Sequence, residues 1–138
     1  MKYVLDSSVA LKWVLPEPDS ANAIRLRAAS QNGVHELLAP SILHVEVAHA
    51  LTRVERQRRI AVSAGWPLWR TIMVDCPALT DSYPLMRRAF ELSSQARIGV
   101  YDCLYVALAE AEQCSVATAD ERLLKTFPAR TISLASLP

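Results

Sequence analysis

Short apolar runs alternate along the chain with longer stretches of helical spacing, and most of the junctions carry a residue suited to capping. Tyr3-Val4-Leu5 is apolar and ends in Asp6-Ser7-Ser8, which predicts a strand running into a helix N-terminus. Val9 to Leu15 continues the helix until Pro16-Glu17-Pro18 breaks it, and Asp19 or Ser20 caps a second helix that Gly33 stops after Asn32. Glu36 to Ala39 reads as a second strand. Pro40-Ser41 then opens a long helix with Ile42, Val45, Leu51 and Val54 as core contacts, running into Arg53, Arg56, Arg58 and Arg59. Ala61 to Met73 reads as a helix, Val74-Asp75-Cys76 as a weak strand, and Asp81 to Ser94 as a helix that tolerates Pro84 in its first turn. The alanine- and leucine-rich stretch from Val100 to Gln113 is the clearest helix. Ser115 to Thr118 is a strand, Asp120 caps a short helix through Lys125, and Thr131 to Leu134 is a last strand. Strands alternating with helices in this way predict an α/β fold with a parallel sheet covered on both faces.

Composition narrows the class. With 138 residues, 51% hydrophobic and 21% charged, the chain predicts a single globular domain, residues 1–138, large enough to bury a core without staples. The net charge of +1 argues against a protein that grips nucleic acid by bulk charge, although local basic patches remain open. Cys76, Cys103 and Cys114 form neither a paired framework nor a C-x-x-C spacing, so a zinc site and a disulfide scaffold are both disfavoured and a reducing cytoplasm is expected. Asp6 interrupts any apolar leader and no run reaches about 18 apolar residues, so the expectation is a protein neither secreted nor membrane-spanning.

The candidate chemistry lies in four acids. Asp6 and Asp120 stand just beyond predicted strands, where ligands of open parallel sheets bind. Glu46 and Asp102 stand in helices that are otherwise apolar around them, and a buried, unpaired carboxylate costs several kcal/mol. Each has a plain structural explanation: helix capping for Asp6 and Asp120, a dipole-favoured first turn for Asp102, pairing with Arg53 for Glu46. Taken together they are better explained by one acidic pocket. Two carboxylates ~4 Å apart repel by about 4 kcal/mol at an effective dielectric near 20, so such a pocket calls for a cation. An oxygen-only donor set selects a hard ion, Mg²⁺ or Mn²⁺, and such ions serve phosphodiester hydrolysis.

Four strings carry these acids in order: V-L-D-S-S-V-A-L-K-W, S-I-L-H-V-E-V-A-H-A-L, Y-D-C-L-Y-V-A-L-A and A-T-A-D-E-R-L. They span nearly the whole chain, and in this order and spacing the sequence resembles PIN domains, most closely the short bacterial VapC toxins. The resemblance implies a three-layer α/β/α fold around a central parallel sheet of about five short strands. It implies a metal-dependent endoribonuclease whose catalytic and metal-binding quartet is Asp6, Glu46, Asp102 and Asp120, with Ser8 and Thr118 supporting the first and last acids. In a two-metal arrangement Asp6 holds or bridges the main ion, Glu46 and Asp102 complete its shell, and Asp120 serves the second ion or orients water. RNA as substrate, a cognate antitoxin protein and a homodimer are implied as partners. A binding module of the same fold, whose acids hold a structural ion or dock a partner, is the alternative.

Other constellations weigh less. His44 and His49 are five residues apart, about 140° around a helix, and cannot share one ion from one face. Glu46 and His49 share a face, but a carboxylate-bridged iron site needs a second such pair. Acids adjacent to Asp6, which a receiver-type phospho-acceptor needs, and the D-x-D of haloacid-type phosphatases are both missing, because Ser7-Ser8 follow. The run of arginines from Arg53 to Arg59 reads equally as an RNA-backbone track and as a solvated helix end. Trp13, Trp66 and Trp69 read most simply as core or interface residues, the VapC resemblance adding a dimer or antitoxin groove for Trp13, and Cys103 reads as a small buried residue.

Overall fold

The computed structural model describes residues 1–138. In chain order its elements are β1 (Lys2–Leu5), α1 (Ser7–Leu11), α2 (Ser20–Gln31), β2 (Glu36–Pro40), α3 (Leu43–Arg56), α4 (Gly65–Val74) and β3 (Ala78–Thr80). A 3₁₀ turn (Tyr83–Leu85), α5 (Met86–Ala96), α6 (Val100–Ala111), β4 (Ser115–Thr118), α7 (Glu121–Thr126), β5 (Thr131–Ser133) and a terminal 3₁₀ turn (Leu134–Ser136) follow. The five strands form one sheet in the order β3-β2-β1-β4-β5, parallel throughout. The chain builds leftward from β1 to β3 and then returns to start again beside β1 with β4, so the order reverses between β1 and β4. In open α/β sheets that switch point opens a crevice at the carboxyl ends of the strands.

Right-handed crossovers place α1 to α4 on one face of the sheet and α5 to α7 on the other. The packing follows this division, with α1 against α2 and α3, α3 against α4, and α5 against α6. Strands β1 and β4 are apolar and buried because helices cover both faces. Helix α6 is buried from Cys103 through Ala109, all the way around its circumference, so it lies within the core against β1, β2 and β4 rather than on it. This explains its aliphatic composition and fixes the direction of its first turn, where Asp102 sits.

Several predicted elements shift for physical reasons. Helix α1 ends at Leu11 and the chain passes through turns to Leu15. Gly33 does stop the second helix: at φ 71° it lets Val34 N–H reach Ala29 O and Gly33 N–H reach Ser30 O, a closure that favours glycine. Asp19 precedes that helix at φ 65° with no side-chain cap bond, while the Ser20 hydroxyl accepts from Glu17 N–H and donates to Leu15 O instead. Val74-Asp75-Cys76 is not a strand. Helix α4 runs through Val74, and after Pro77 the edge strand forms at Ala78–Thr80, where the chain meets the free edge of β2. Of the predicted core contacts of α3, Leu51 and Val54 are buried and Ile42 packs against the core, but Val45 is 57% exposed and Leu43 and Val47 take its place. Trp13 is buried, with its indole N–H donated to Ala23 O, in keeping with the core reading.

Candidate active site

Asp6 is the first residue past β1. Its backbone N–H donates to Ala117 O at 3.1 Å, continuing the β1–β4 ladder, so its side chain leaves the sheet at the switch point. The carboxylate is 5% exposed and makes no cap bond to α1. It accepts instead from Ser8 Oγ at 2.5 Å and from Thr118 Oγ1 at 2.8 Å, both on the same oxygen. Each hydroxyl in turn accepts a backbone N–H from the turn after β4: Ser8 from Ala119 at 3.1 Å and Thr118 from Asp120 at 3.0 Å. The two hydroxyls thus tie the ends of neighbouring strands to one carboxylate. Burial pushes the Asp6 carboxyl up, the Ser8 and Thr118 hydroxyls oppose this, and the charge of Asp120 adds to the rise.

Glu46 lies in the first turn of α3 and accepts from the Tyr105 hydroxyl at 2.6 Å, a bond that joins helices from opposite layers past the strand ends. Burial pushes its carboxyl up to about 7 against the lowering effect of Tyr105, and the charges of Asp6 and Asp102 push further. The alternative pairing of Glu46 with Arg53 does not form, since no carboxylate lies within ion-pair distance of that guanidinium. Asp102 lies in the first turn of α6. Its carboxyl is raised to about 6, first by burial, then by Asp6 and Asp120, with Arg122 opposing. Asp120 caps α7: one of its oxygens accepts from Arg122 N–H at 2.8 Å and Leu123 N–H at 3.2 Å. Capping leaves the other oxygen free, so the structural and chemical readings of Asp120 are compatible.

The fold therefore brings the four acids to one end of the sheet, where Asp6, Glu46 and Asp102 each sense the charge of others in the set. No three His, Cys, Asp or Glu side chains converge into a ready-made metal cage. The donor set still fits Mg²⁺ or Mn²⁺. Such an ion takes one or two carboxylates and keeps several waters, and the raised carboxyls are those that a cation relieves. Beside the acids, Ser7, Val45, Glu46, His49, Ala50 and Tyr101 line an open cavity of about 450 Å³. Tyr105 and Arg122 are site neighbours that the sequence reading passed over. The spacing held a signal for Tyr105, which stands three residues after Asp102 and so on the same helix face.

The PIN domain family model matches residues 3–127. A VapC ribonuclease of Mycobacterium bovis is 33% identical over 133 residues, 92% of either chain. Ribonuclease VapC1 of Mycobacterium tuberculosis is 37% identical over 106 residues, 75% of each. Among solved structures, PAE2754 from Pyrobaculum aerophilum superposes with a TM-score of 0.74 at 17% identity, covering 99% of this chain and 91% of that one. VapBC2 from Rickettsia felis, solved bound to a DNA fragment from their promoter, gives 0.64 at 16% identity over 96% and 98%. The chain belongs to the PIN domain family.

Proposed function

We propose that this protein is a divalent-metal-dependent endoribonuclease acting as the toxin of a toxin-antitoxin pair. The observation that carries the reading is the gathering of Asp6, Glu46, Asp102 and Asp120 at one end of the sheet beside the β1–β4 switch point, where burial and neighbouring acids raise the carboxyls of Asp6, Glu46 and Asp102. The VapC ribonuclease relatives support RNA as the substrate. Asp6, Glu46, Asp102 and Asp120 hold the ion, Ser8 and Thr118 fix the orientation of Asp6, and Tyr105 fixes Glu46. Bound there, Mg²⁺ or Mn²⁺ supplies an ionised water and charge stabilisation for the departing 3′-oxygen. The alternative route, attack by the RNA's own 2′-hydroxyl, calls for a positioned base and acid, usually histidine. His49 stands in the cavity wall with no side-chain partner and His35 lies beside the Met1 amino group. Products with 5′-phosphate and 3′-hydroxyl ends are therefore expected, formed only with free divalent ion and abolished by a chelator. Mass spectrometry of the products decides it, and cyclic 2′,3′-phosphate ends contradict the reading.

The same reading includes an antitoxin and a homodimer in the cytoplasm. The cavity beside Glu46 shares His49 and Ala50 with a second one of about 350 Å³, where Leu11, Leu15 and Val54 lie among Glu17, Arg53, Gln57 and Arg59. Together they offer an acidic end at Glu46 and a stretch in which aliphatic side chains alternate with polar ones, complementary to a peptide that presents a cation and an apolar anchor. Co-expression with the small protein of the adjacent reading frame is expected to give a stable, inactive complex. Equal activity with and without that neighbour contradicts the antitoxin role.

A further inference from the structure

Three of the twelve arginines are held on carboxylates: Arg27 on Asp75, Arg87 on Glu91, and Arg88 on Glu110 and Glu91. Arg122 has no carboxylate partner, and what sets it apart from the other unpaired arginines is its place beside the acids. It follows Asp120 by two residues, and its backbone N–H is one of the two that hold the Asp120 carboxylate. Its guanidinium forms no ion pair and donates once, at 2.8 Å, to the carbonyl of Arg97. Arg97 ends α5 in a left-handed conformation, φ 56°, two residues before Gly99, the N-cap of the helix whose first turn carries Asp102. The guanidinium thus bridges the two segments that deliver Asp120 and Asp102. A guanidinium has five N–H donors in a rigid fork, so a single carbonyl bond fixes its position while leaving most of its donors open on an exposed side chain. Arg97 is also exposed, and its own guanidinium makes no ion pair.

We propose that Arg122 is a substrate-binding residue that takes a phosphate of the RNA strand next to the cleaved bond, its fork aimed by the Arg97 carbonyl. The proposal rests on the ribonuclease reading and specifies where that strand meets the protein. Four carboxylates leave a net negative site even with one divalent ion in place, and an RNA phosphate approaching it needs a cation at the rim. Arg122 supplies that charge on the Asp102–Asp120 side, where its backbone N–H holds Asp120 and its guanidinium reaches the segment that leads into the Asp102 helix. Planar, two-pronged recognition is what a guanidinium offers a phosphate and what a lysine does not.

The test is binding of a fluorescently labelled, mixed-sequence single-stranded RNA oligonucleotide to the full-length protein, with calcium in place of magnesium to prevent turnover, between about 50 and 200 mM salt. For R122A the dissociation constant is expected to rise about tenfold and the salt slope to fall by about one. R122Q can still donate to the Arg97 carbonyl but carries no charge. It is expected to keep the wild-type melting temperature and the wild-type stabilisation by Mn²⁺ while losing the same unit of slope. An unchanged slope in both variants overturns the proposal, as does a lost Mn²⁺ stabilisation with normal RNA affinity, which makes Arg122 a strap for the metal site only. A wild-type protein that neither binds nor cleaves RNA with any divalent ion overturns the ribonuclease reading itself, whereas a wild-type enzyme that cleaves while both variants match it overturns this assignment alone.

Discussion

Asp6→Asn is expected to abolish RNA cleavage while the metal-free protein melts at or above the wild-type temperature. An ionised carboxylate at position 6 is nearly fully buried and stands against the charge of Asp120, so the charged form is costly in the absence of metal. The asparagine carbonyl still accepts from Ser8 and Thr118, and its amide adds a donor facing the remaining carboxylates. Glu46→Gln and Asp102→Asn follow the same logic, since burial and neighbouring carboxylates raise both. Removing an outer partner of a metal ligand typically costs ~10–100-fold in affinity or activity, and removing the ligand itself should cost more. Thr118→Val is the contrasting case. The methyl fills the space but takes away both the donor to Asp6 and the acceptor for Asp120 N–H, so stability should drop by about 1–3 kcal/mol as activity falls. Thermal melts in chelator separate the two behaviours. Marked destabilisation by all three acid substitutions would mean that the acids are structural pairs.

The metal-free protein should also lose stability as pH rises from about 4 to 7, and divalent ion should restore most of it above that window. The carboxyl of Glu46 is raised from 4.5 to about 7 and that of Asp102 from 3.8 to about 6. A carboxyl raised by folding binds its proton more tightly in the native state. The stability it contributes is complete below the unfolded value and is lost as pH climbs through the folded one. The loss therefore falls between about pH 4 and 7 for these two groups together. Asp75 and Glu110 are lowered by Arg27 and Arg88 respectively, with Gln31 the larger influence on Asp75, and act in the opposite sense only at more acid pH. Because the ion competes with protons for the same oxygens, its stabilising effect is largest at pH 8 and small near pH 5. Melting curves with chelator and with Mg²⁺ at each pH measure both slopes. A flat or rising metal-free profile contradicts the clustered-acid account.

The order of strands and helices was legible because the apolar runs are short, sharply bounded and separated by stretches of helical spacing. Four acids stood out because each interrupts or ends an apolar run. What escaped were features set by tertiary packing. The edge strand Ala78–Thr80 is short and mostly exposed, so it lacks an apolar signal and exists because β2 offers a free edge. The face of α3 was misassigned at Val45 because the periodicity of Leu43, Val45 and Val47 is ambiguous over a single turn; the packing buries Leu43 and Val47 and leaves Val45 beside the cavity. The Tyr105–Glu46 bond spans 59 residues and two layers, which no local pattern encodes.

The central claim is that Asp6, Glu46, Asp102 and Asp120 form one divalent-metal site. Crystals grown with Mn²⁺ and measured for anomalous scattering test it most directly. The account predicts an anomalous peak beyond the carboxyl ends of β1 and β4, with oxygens of Asp6 and at least one other acid of the set at about 2.0–2.2 Å. Crystals soaked at neutral pH with no peak there, or with manganese bound only elsewhere while the four carboxylates stay apart, would contradict it.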